Sequence, residues 1–197
     1  VDDQLTELLA ELYSSGREFD EGKADRLQRL RNVEPDTAAL LALLVRATGA
    51  RRVLELGTSS GYSTLWLAAA ARSAGGVVVS VDTDAQRSAM AAHNLQRGGL
   101  RDLVELRVED AALTLRSSAD GVWDMVFLDA ERSAYLGYWQ DLVRSLRPAG
   151  LLAVDNVLSH ASELVQFRAS VQADARVSEA MAPTRAGLVL VVREAAR

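Results

Sequence analysis

The chain has 197 residues, 49% of them apolar, a net charge of −5 and no cysteine. Such a composition excludes a disordered chain and suits one α/β domain with its own core. The acidic balance leaves no basic footprint for nucleic acid, and the lack of cysteine excludes disulfides, thiolate metal sites and cysteine nucleophiles. The start, Val1-Asp2-Asp3-Gln4, is acidic and polar, unlike a signal peptide. No apolar run is long enough for a bilayer, so a cytoplasmic location without membrane partners is expected.

In chain order, residues 2–32 read as one or two helices with a polar break at Ser14-Ser15-Gly16. Within them, Arg26 to Arg31 alternates basic residues with Leu27 and Leu30, the pattern of a solvated helical face. Pro35-Asp36-Thr37 opens a helix that carries an apolar stripe of Leu40, Leu41, Leu44 and Val45 and stops at Gly49. A strand–helix alternation follows. Strands are predicted at 52–56, 77–82, 103–107, 124–128, 150–154 and 187–193, with a weaker one near 176–181. Helices are predicted at about 61–73, 84–97, 109–117, 132–146 and 160–173. Uninterrupted apolar strands such as Val77-Val78-Val79 imply burial on both faces, hence a doubly wound parallel sheet. Pro183-Thr184-Arg185-Ala186-Gly187 is a loop with no helix, so the last two strands should form an antiparallel hairpin. One domain is expected over 1–197, with 1–32 a helical N-terminal extension and 33–197 the core.

Three motifs carry chemistry. The first strand turns through Glu55-Leu56-Gly57-Thr58-Ser59-Ser60-Gly61-Tyr62-Ser63, a G-x-x-x-G turn without the third glycine of a dinucleotide fingerprint or the lysine of a P-loop. Glu55 stands where a carboxylate can serve an ammonium group. Asp82 ends the second strand, 21 residues past Gly61, where doubly wound folds bind ribose hydroxyls, or where it caps the next helix. Glu55, Gly57, Gly61 and Asp82 together favour a nucleoside that carries an amino acid and no phosphate, a description that S-adenosylmethionine fits. Further on, Asp129 closes one apolar strand and Asp155-Asn156 closes the next. Neighbouring parallel strands would gather two carboxylates and an amide oxygen, a hard-cation set suited to Mg²⁺ or Ca²⁺; taken alone, each Asp reads equally as a helix cap.

With LELGTSSGYSTLWLA (54–68), VVSVDTD (78–84), WDMVFLDAERSAY (123–135) and LRPAGLLAVDNVLSH (146–160), the chain resembles the class I S-adenosylmethionine-dependent methyltransferases. Within these it is most similar to the cation-dependent catechol and caffeoyl-coenzyme A O-methyltransferases. The resemblance implies a Rossmann-like seven-stranded sheet, mostly parallel, with its last strand inserted antiparallel. It implies that Glu55, Gly57, Ser63 and Asp82, with Thr58 and Ser59 of the same turn, bind the methyl donor, Ser63 near its carboxylate. Val33 and the 35–37 turn match the segment over the donor's methionine end, and Asp110 and Ala111 match the adenine loop. Glu109 falls where the family often has glycine. Asp129, Asp155 and Asn156 fall on the three metal ligands, with Asp129 also close to the donor's ammonium. A homodimer and a small aromatic hydroxyl acceptor are further implications; methylation of a tRNA hydroxyuridine is less favoured, given the net charge.

The proton acceptor is the departure. Relatives commonly carry a lysine three residues after the first Asp, and here that residue is Arg132, which stays protonated and is suited to holding an anion instead. This departure also admits a donor-binding protein without transferase activity. His160, four residues past Asn156, is either the base or a surface histidine that opens a helix. Glu131 is a nearby carboxylate of unknown direction, and His93 reads as a surface residue. Tyr135, Tyr138 and Trp139 share a helical face and read as core or interface packing.

Overall fold

The computed structural model describes residues 3–25 and 28–195. Seven strands form one sheet: β1 (Arg52–Leu56), β2 (Val77–Asp82), β3 (Val104–Val108), β4 (Trp123–Leu128), β5 (Leu146–Val154), β6 (Val177–Ala182) and β7 (Leu188–Arg193). Their order is β3-β2-β1-β4-β5-β7-β6. The first five run parallel, and β7 lies antiparallel to both β5 and β6. The predicted hairpin is therefore present, and its outer strand is the weak one predicted near 176–181.

The period of two along each strand sorts the core into two layers. Val53, Val78, Met125, Phe127, Leu151 and Ala153 face one side. There they pack on α1 (Asp3–Glu21), α2 (Pro35–Thr48), α3 (Tyr62–Arg72) and α4 (Ala85–Arg97). Leu54, Leu56, Val79, Val81, Val126, Leu128, Leu152 and Val154 face the other side. They pack on α5 (Ala111–Ser117), α6 (Tyr135–Ser145) and α7 (Val165–Ala173). Tyr135 and Trp139 meet Phe167 edge-on in this second layer, with ring centroids 5.6 and 5.7 Å apart. His93 is exposed on α4, as predicted.

The N-terminal region departs from its sequence reading. α1 runs unbroken through Ser14-Ser15-Gly16. Gly16 is buried, and a Cβ there would stand 2.4 Å from Asn32 Nδ2, so this glycine makes room for a crossing chain. Past Glu21 the chain leaves the helix and returns as a strap over 28–34. Leu30 is buried and Arg31 has φ +53°, so neither sits on a solvated helical face; Arg26 and Leu27 of that reading lie outside the described residues. The strap is held by side chains distant in sequence. Asp20 accepts from Leu30 N (2.6 Å) and Arg31 N (2.9 Å), and Asn32 Nδ2 donates to Leu12 O at 3.2 Å. Among the described residues, no helix is long and apolar enough to cross a membrane.

At the other end of the sheet, Asp124 ties three elements. Its Oδ2 accepts from Arg51 N and Arg52 N, both at 2.8 Å, and its Oδ1 accepts from Arg147 Nε at 2.7 Å. Desolvation opposes this, but the two backbone N–H groups and the guanidinium hold the carboxyl below its ordinary range. A depressed acid contributes stability above its unfolded-state pKa and loses it as pH falls through the folded one. Asp124→Asn should therefore lower the unfolding free energy by about 1–3 kcal/mol at pH 7 in urea titrations. The gap to wild type should shrink as the pH drops below the carboxylate range.

Candidate functional site

β1 and β4 lie side by side, but the chain leaves them in opposite directions along the sheet. That switch point opens a crevice at the carboxyl ends of the strands, where α/β folds bind ligands. Backbone hydrogen bonds continue past the strand ends and fix the spacing there. Gly57 N donates to Val81 O (2.9 Å), Asp129 N to Leu56 O (2.9 Å) and Asp155 N to Leu128 O (3.2 Å). Gly57 has φ +107°, and a Cβ on it would stand 2.2 Å from Asp129 O, so only glycine lets the first turn pass the end of β4.

The crevice is a cavity of about 840 Å³. Val33, Gly57, Thr58, Ser59, Ser63, Asp82, Asp110, Ala111 and Asp129 line it, and so do Arg132, Asp155, Asn156 and His160. Two predicted residues stand outside the lining. Gly61 faces α4, where a Cβ would meet Ala91 Cβ at 2.9 Å, so close helix packing by itself asks for glycine there. Glu55 is fully buried behind the wall and accepts from Ser63 Oγ (2.5 Å), Thr64 Oγ1 (2.5 Å) and Ser80 Oγ (2.6 Å). It reaches the cavity through Ser63 and, by way of Ser80, through Thr58.

Asp82 uses both oxygens to shape the turn, accepting from Ser59 N at 2.8 Å and Asp84 N at 3.0 Å. The cap of α4 is Asp84, which accepts from Gln86 N and Arg87 N, so Asp82 is not the cap. Asp110 caps α5 through Ala112 N at 2.7 Å. Glu109 donates its N–H to Asp82 O and has no left-handed φ, so the backbone at this position accommodates its side chain. Tyr138, read as packing, lines the cavity near Asp110 and Ala111, while its neighbours Tyr135 and Trp139 are core.

Asn156 adopts φ +66°, a left-handed conformation that asparagine tolerates. Its Nδ2 bridges Asp129 Oδ1 (2.9 Å) and Asp155 Oδ2 (3.2 Å), and its Oδ1 accepts from Ser159 Oγ at 3.2 Å. Asp155 Oδ1 is buried without a hydrogen-bond partner. Burial and then the Asp155 charge push Asp129 well above the ordinary carboxylate range, with Arg31 and Arg132 opposing. Burial, Asp36 and Glu34 push Asp155 up as well. Among the described residues, no three His, Cys, Asp or Glu side chains form a metal centre, so any cation site here depends on the amide as its third ligand.

Arg132 is buried, and its Nε donates to Glu163 Oε2 at 2.9 Å. Glu131 turns to the strap and pairs with Arg31 at 3.0 Å while its side chain stays 44% exposed, so it is a partly solvated ion-pair partner. His160 sits at the rim, with Nδ1 2.9 Å from Ser159 Oγ. Of the strap, only Val33 was read in the sequence as part of the site. Ser59 Oγ donates to Leu30 O (2.5 Å), Ser60 Oγ to Asn32 Oδ1 (2.7 Å) and Arg87 Nη2 to Arg29 O (2.9 Å).

Burial lifts Glu55 to about 7, against three hydroxyl hydrogen bonds that lower it. A raised acid contributes stability that is complete below its unfolded-state pKa and lost as pH rises through the folded value. Between pH 4.5 and 8 the ligand-free protein should lose on the order of 3 kcal/mol through this group. Glu55→Gln removes the titration, so the difference in unfolding free energy between wild type and variant should change by that amount across the interval. A pH-independent difference would place the Glu55 proton elsewhere.

The O-methyltransferase family model matches residues 6–194. A catechol O-methyltransferase of Mycobacterium tuberculosis (strain ATCC 25618 / H37Rv) is 41% identical over 128 residues, 64% of this chain and 57% of that protein. Probable caffeoyl-CoA O-methyltransferase 1 of Dictyostelium discoideum is 27% identical over 208 residues, 97% of this chain and 87% of that protein. The solved O-methyltransferase from Bacillus cereus, in complex with SAH, superposes with a TM-score of 0.80 at 27% identity, covering 98% of this chain and 92% of that one. The chain spans a little over half the length of the first two curated relatives it matches, 57% and 58%. A family match from α1 to the last strand, on a sheet of the same architecture, establishes that the chain belongs to the O-methyltransferase family.

Proposed function

We propose that the protein binds S-adenosylmethionine and transfers its methyl group to a hydroxyl of a small aromatic acceptor, assisted by a divalent cation. The observation that carries this reading is the convergence of Asp129, Asp155 and Asn156 on one wall of a cavity whose other wall is the Gly57–Ser63 turn. The cavity volume suits a nucleoside with an amino acid plus a small acceptor. No glycine-rich cradle for a diphosphate is present in the turn. Relatives bearing catechol and caffeoyl-CoA O-methyltransferase names, and a neighbour in complex with SAH, support the choice of donor and acceptor. The resemblance further supports a homodimeric, cytoplasmic enzyme.

The donor set fits a hard cation. Two carboxylates face each other, Asp155 Oδ1 lacks a partner, and the position between the acids is held by the amide's positive end. Asp129 and Asp155 would hold the ion, with Asn156 presenting its oxygen in place of Nδ2. When bound, the ion would lower the pKa of an acceptor hydroxyl and orient it. The chain's own residues do the rest. Ser63, Asp82 and the Gly57–Ser59 backbone hold the two ends of the donor, so the acceptor oxygen meets the methyl carbon in line. Arg132, fixed by Glu163, sets a permanent positive charge beside the developing oxyanion. His160 takes the hydroxyl proton as the methyl–sulfur bond breaks and its electron pair stays on sulfur.

Asp155→Ala should reduce catechol methylation by roughly 100-fold or more, with SAH affinity changed only a few-fold by calorimetry. Excess chelator should do the same to wild type, and full turnover in chelator would remove the cation from the reading. His160→Gln should slow turnover by ~10²-fold or more, most for the acceptor with the least acidic hydroxyl. Equal slowing across a series of substituted phenols would assign the proton to another group.

A further inference from the structure

The cavity wall across from the donor turn is built by two loops, 155–160 and 183–187. Val157 N donates to Gly187 O (3.1 Å), and Leu158 N and Ser159 N donate to Ala186 O (3.0 and 3.1 Å). The second loop is pinned on its far side to the start of α2, because Arg185 N donates to Asp36 Oδ2 at 2.9 Å. These bonds use only the backbone of residue 185. Its side chain lines the cavity mouth and is 71% exposed.

Among the described residues, five arginines border the cavity, and four are tied down. Arg132 is held by Glu163 and Arg31 by Glu131. Arg87 is held by Arg29 O and Asp84, and Arg29 by Lys23 O. Arg185 makes one contact, from Nη1 to Glu34 Oε2 at 3.4 Å. An exposed pair of that length contributes about 0–1 kcal/mol and occupies one of five N–H donors. Glu34 has a stronger partner in the Tyr13 hydroxyl at 2.7 Å. The guanidinium thus keeps an open edge toward the cavity. Near it the cavity presents the carboxyl groups of Glu34, Asp129 and Asp155, with the Arg132 charge already paired to Glu163.

We propose that Arg185 recognises a carboxylate on the acceptor, so that the preferred substrates are hydroxylated aromatic acids. The ring hydroxyls face Asp129, Asp155 and Asn156, and the acid pairs with the guanidinium edge in the planar, two-bond geometry that carboxylates and arginine share. This assignment rests on the methyl-transfer reading for its orientation, but not for the anion site itself.

The test compares 3,4-dihydroxybenzoate with its neutral analogue 3,4-dihydroxybenzyl alcohol in wild type, Arg185→Gln and Arg185→Glu. Labelled S-adenosylmethionine reports kcat/KM, and calorimetry on SAH-saturated protein reports acceptor binding. SAH affinity shows that each variant is folded, and if Arg185→Glu fails that check the glutamine variant decides. The acid-to-alcohol ratio of kcat/KM should fall at least ~10-fold in Arg185→Gln and further in Arg185→Glu. An unchanged ratio, with both compounds methylated, overturns the assignment and leaves the methyl-transfer reading standing. If neither compound is methylated, that reading fails. Acid binding that weakens in step with the charge at residue 185 then still supports the anion site, and binding indifferent to it overturns the site.

Discussion

The site depends on one close approach, the passage of Gly57 beside the carbonyl of Asp129. With 2.2 Å between that oxygen and where a Cβ would stand, the turn after β1 and the end of β4 are in contact along their backbones. The hydrogen bonds 57-to-81, 129-to-56 and 155-to-128 extend the sheet's ladder one residue past each strand. Asp129 and Asp155 therefore inherit the separation of adjacent strands, and the Gly57–Ser63 turn inherits a fixed offset from both. A sheet edge is a rigid ruler, whereas loops of the same length would leave these groups to wander. In this site Gly57, Asp129 and Asp155 are positioned by main chain.

The strap over residues 28–34 follows a different logic. It has little regular structure and is fastened by the Asp20 carboxylate, the Asn32 amide, the Ser59 and Ser60 hydroxyls and the Arg87 guanidinium. Each fastening is a polar group reaching across 10 to 58 residues of sequence. The Arg31–Glu131 pair then joins the strap to the loop after β4, across the opening between them. The cavity thus has a floor made of sheet and a cover made of individually weak polar contacts. Such covers open locally at far lower free energy than the core.

What was legible in the sequence divides along the same line. Strand ends could be read because apolar runs stop abruptly at Asp82, Asp129 and Asp155, and parallel pairing brings such stops together. The hairpin of β6 and β7 could be read because the 183–187 loop is too short for a helix. Beyond Val33 the strap could not be read, since its alternation of Arg and Leu mimics a helical face and its partners lie far along the chain. The packing role of Gly61 could not be read, because a glycine in a binding motif looks the same whether or not a helix lies behind it, and Ala91 is set there by the fold. Glu55 was read as a carboxylate placed to serve an ammonium group, directly or through water, but its burial behind Ser63, Thr64 and Ser80 has no sequence signal. Arg185 carried no signal at all, because its relation to Asn156 is set by the pairing of β7 with β5.

The hydroxyls around Glu55 have a direction as well as a position. With the carboxylate ionised it is purely an acceptor, so Ser63, Thr64 and Ser80 must each send their single proton inward. Ser80 is then committed as a donor, and Thr58, 2.6 Å from it, must donate to Ser80 in turn. Ser63 and Thr58 are the two members that line the cavity, and both are left showing it only lone pairs. This stretch of wall is therefore polarised to receive a cationic or N–H-bearing part of a ligand, by a charge that the ligand never touches. One proton added to Glu55 would break that alignment, because at least one hydroxyl must then accept and turn its own proton outward. The chemical character of the cavity surface is thus written by the proton inventory of the core behind it.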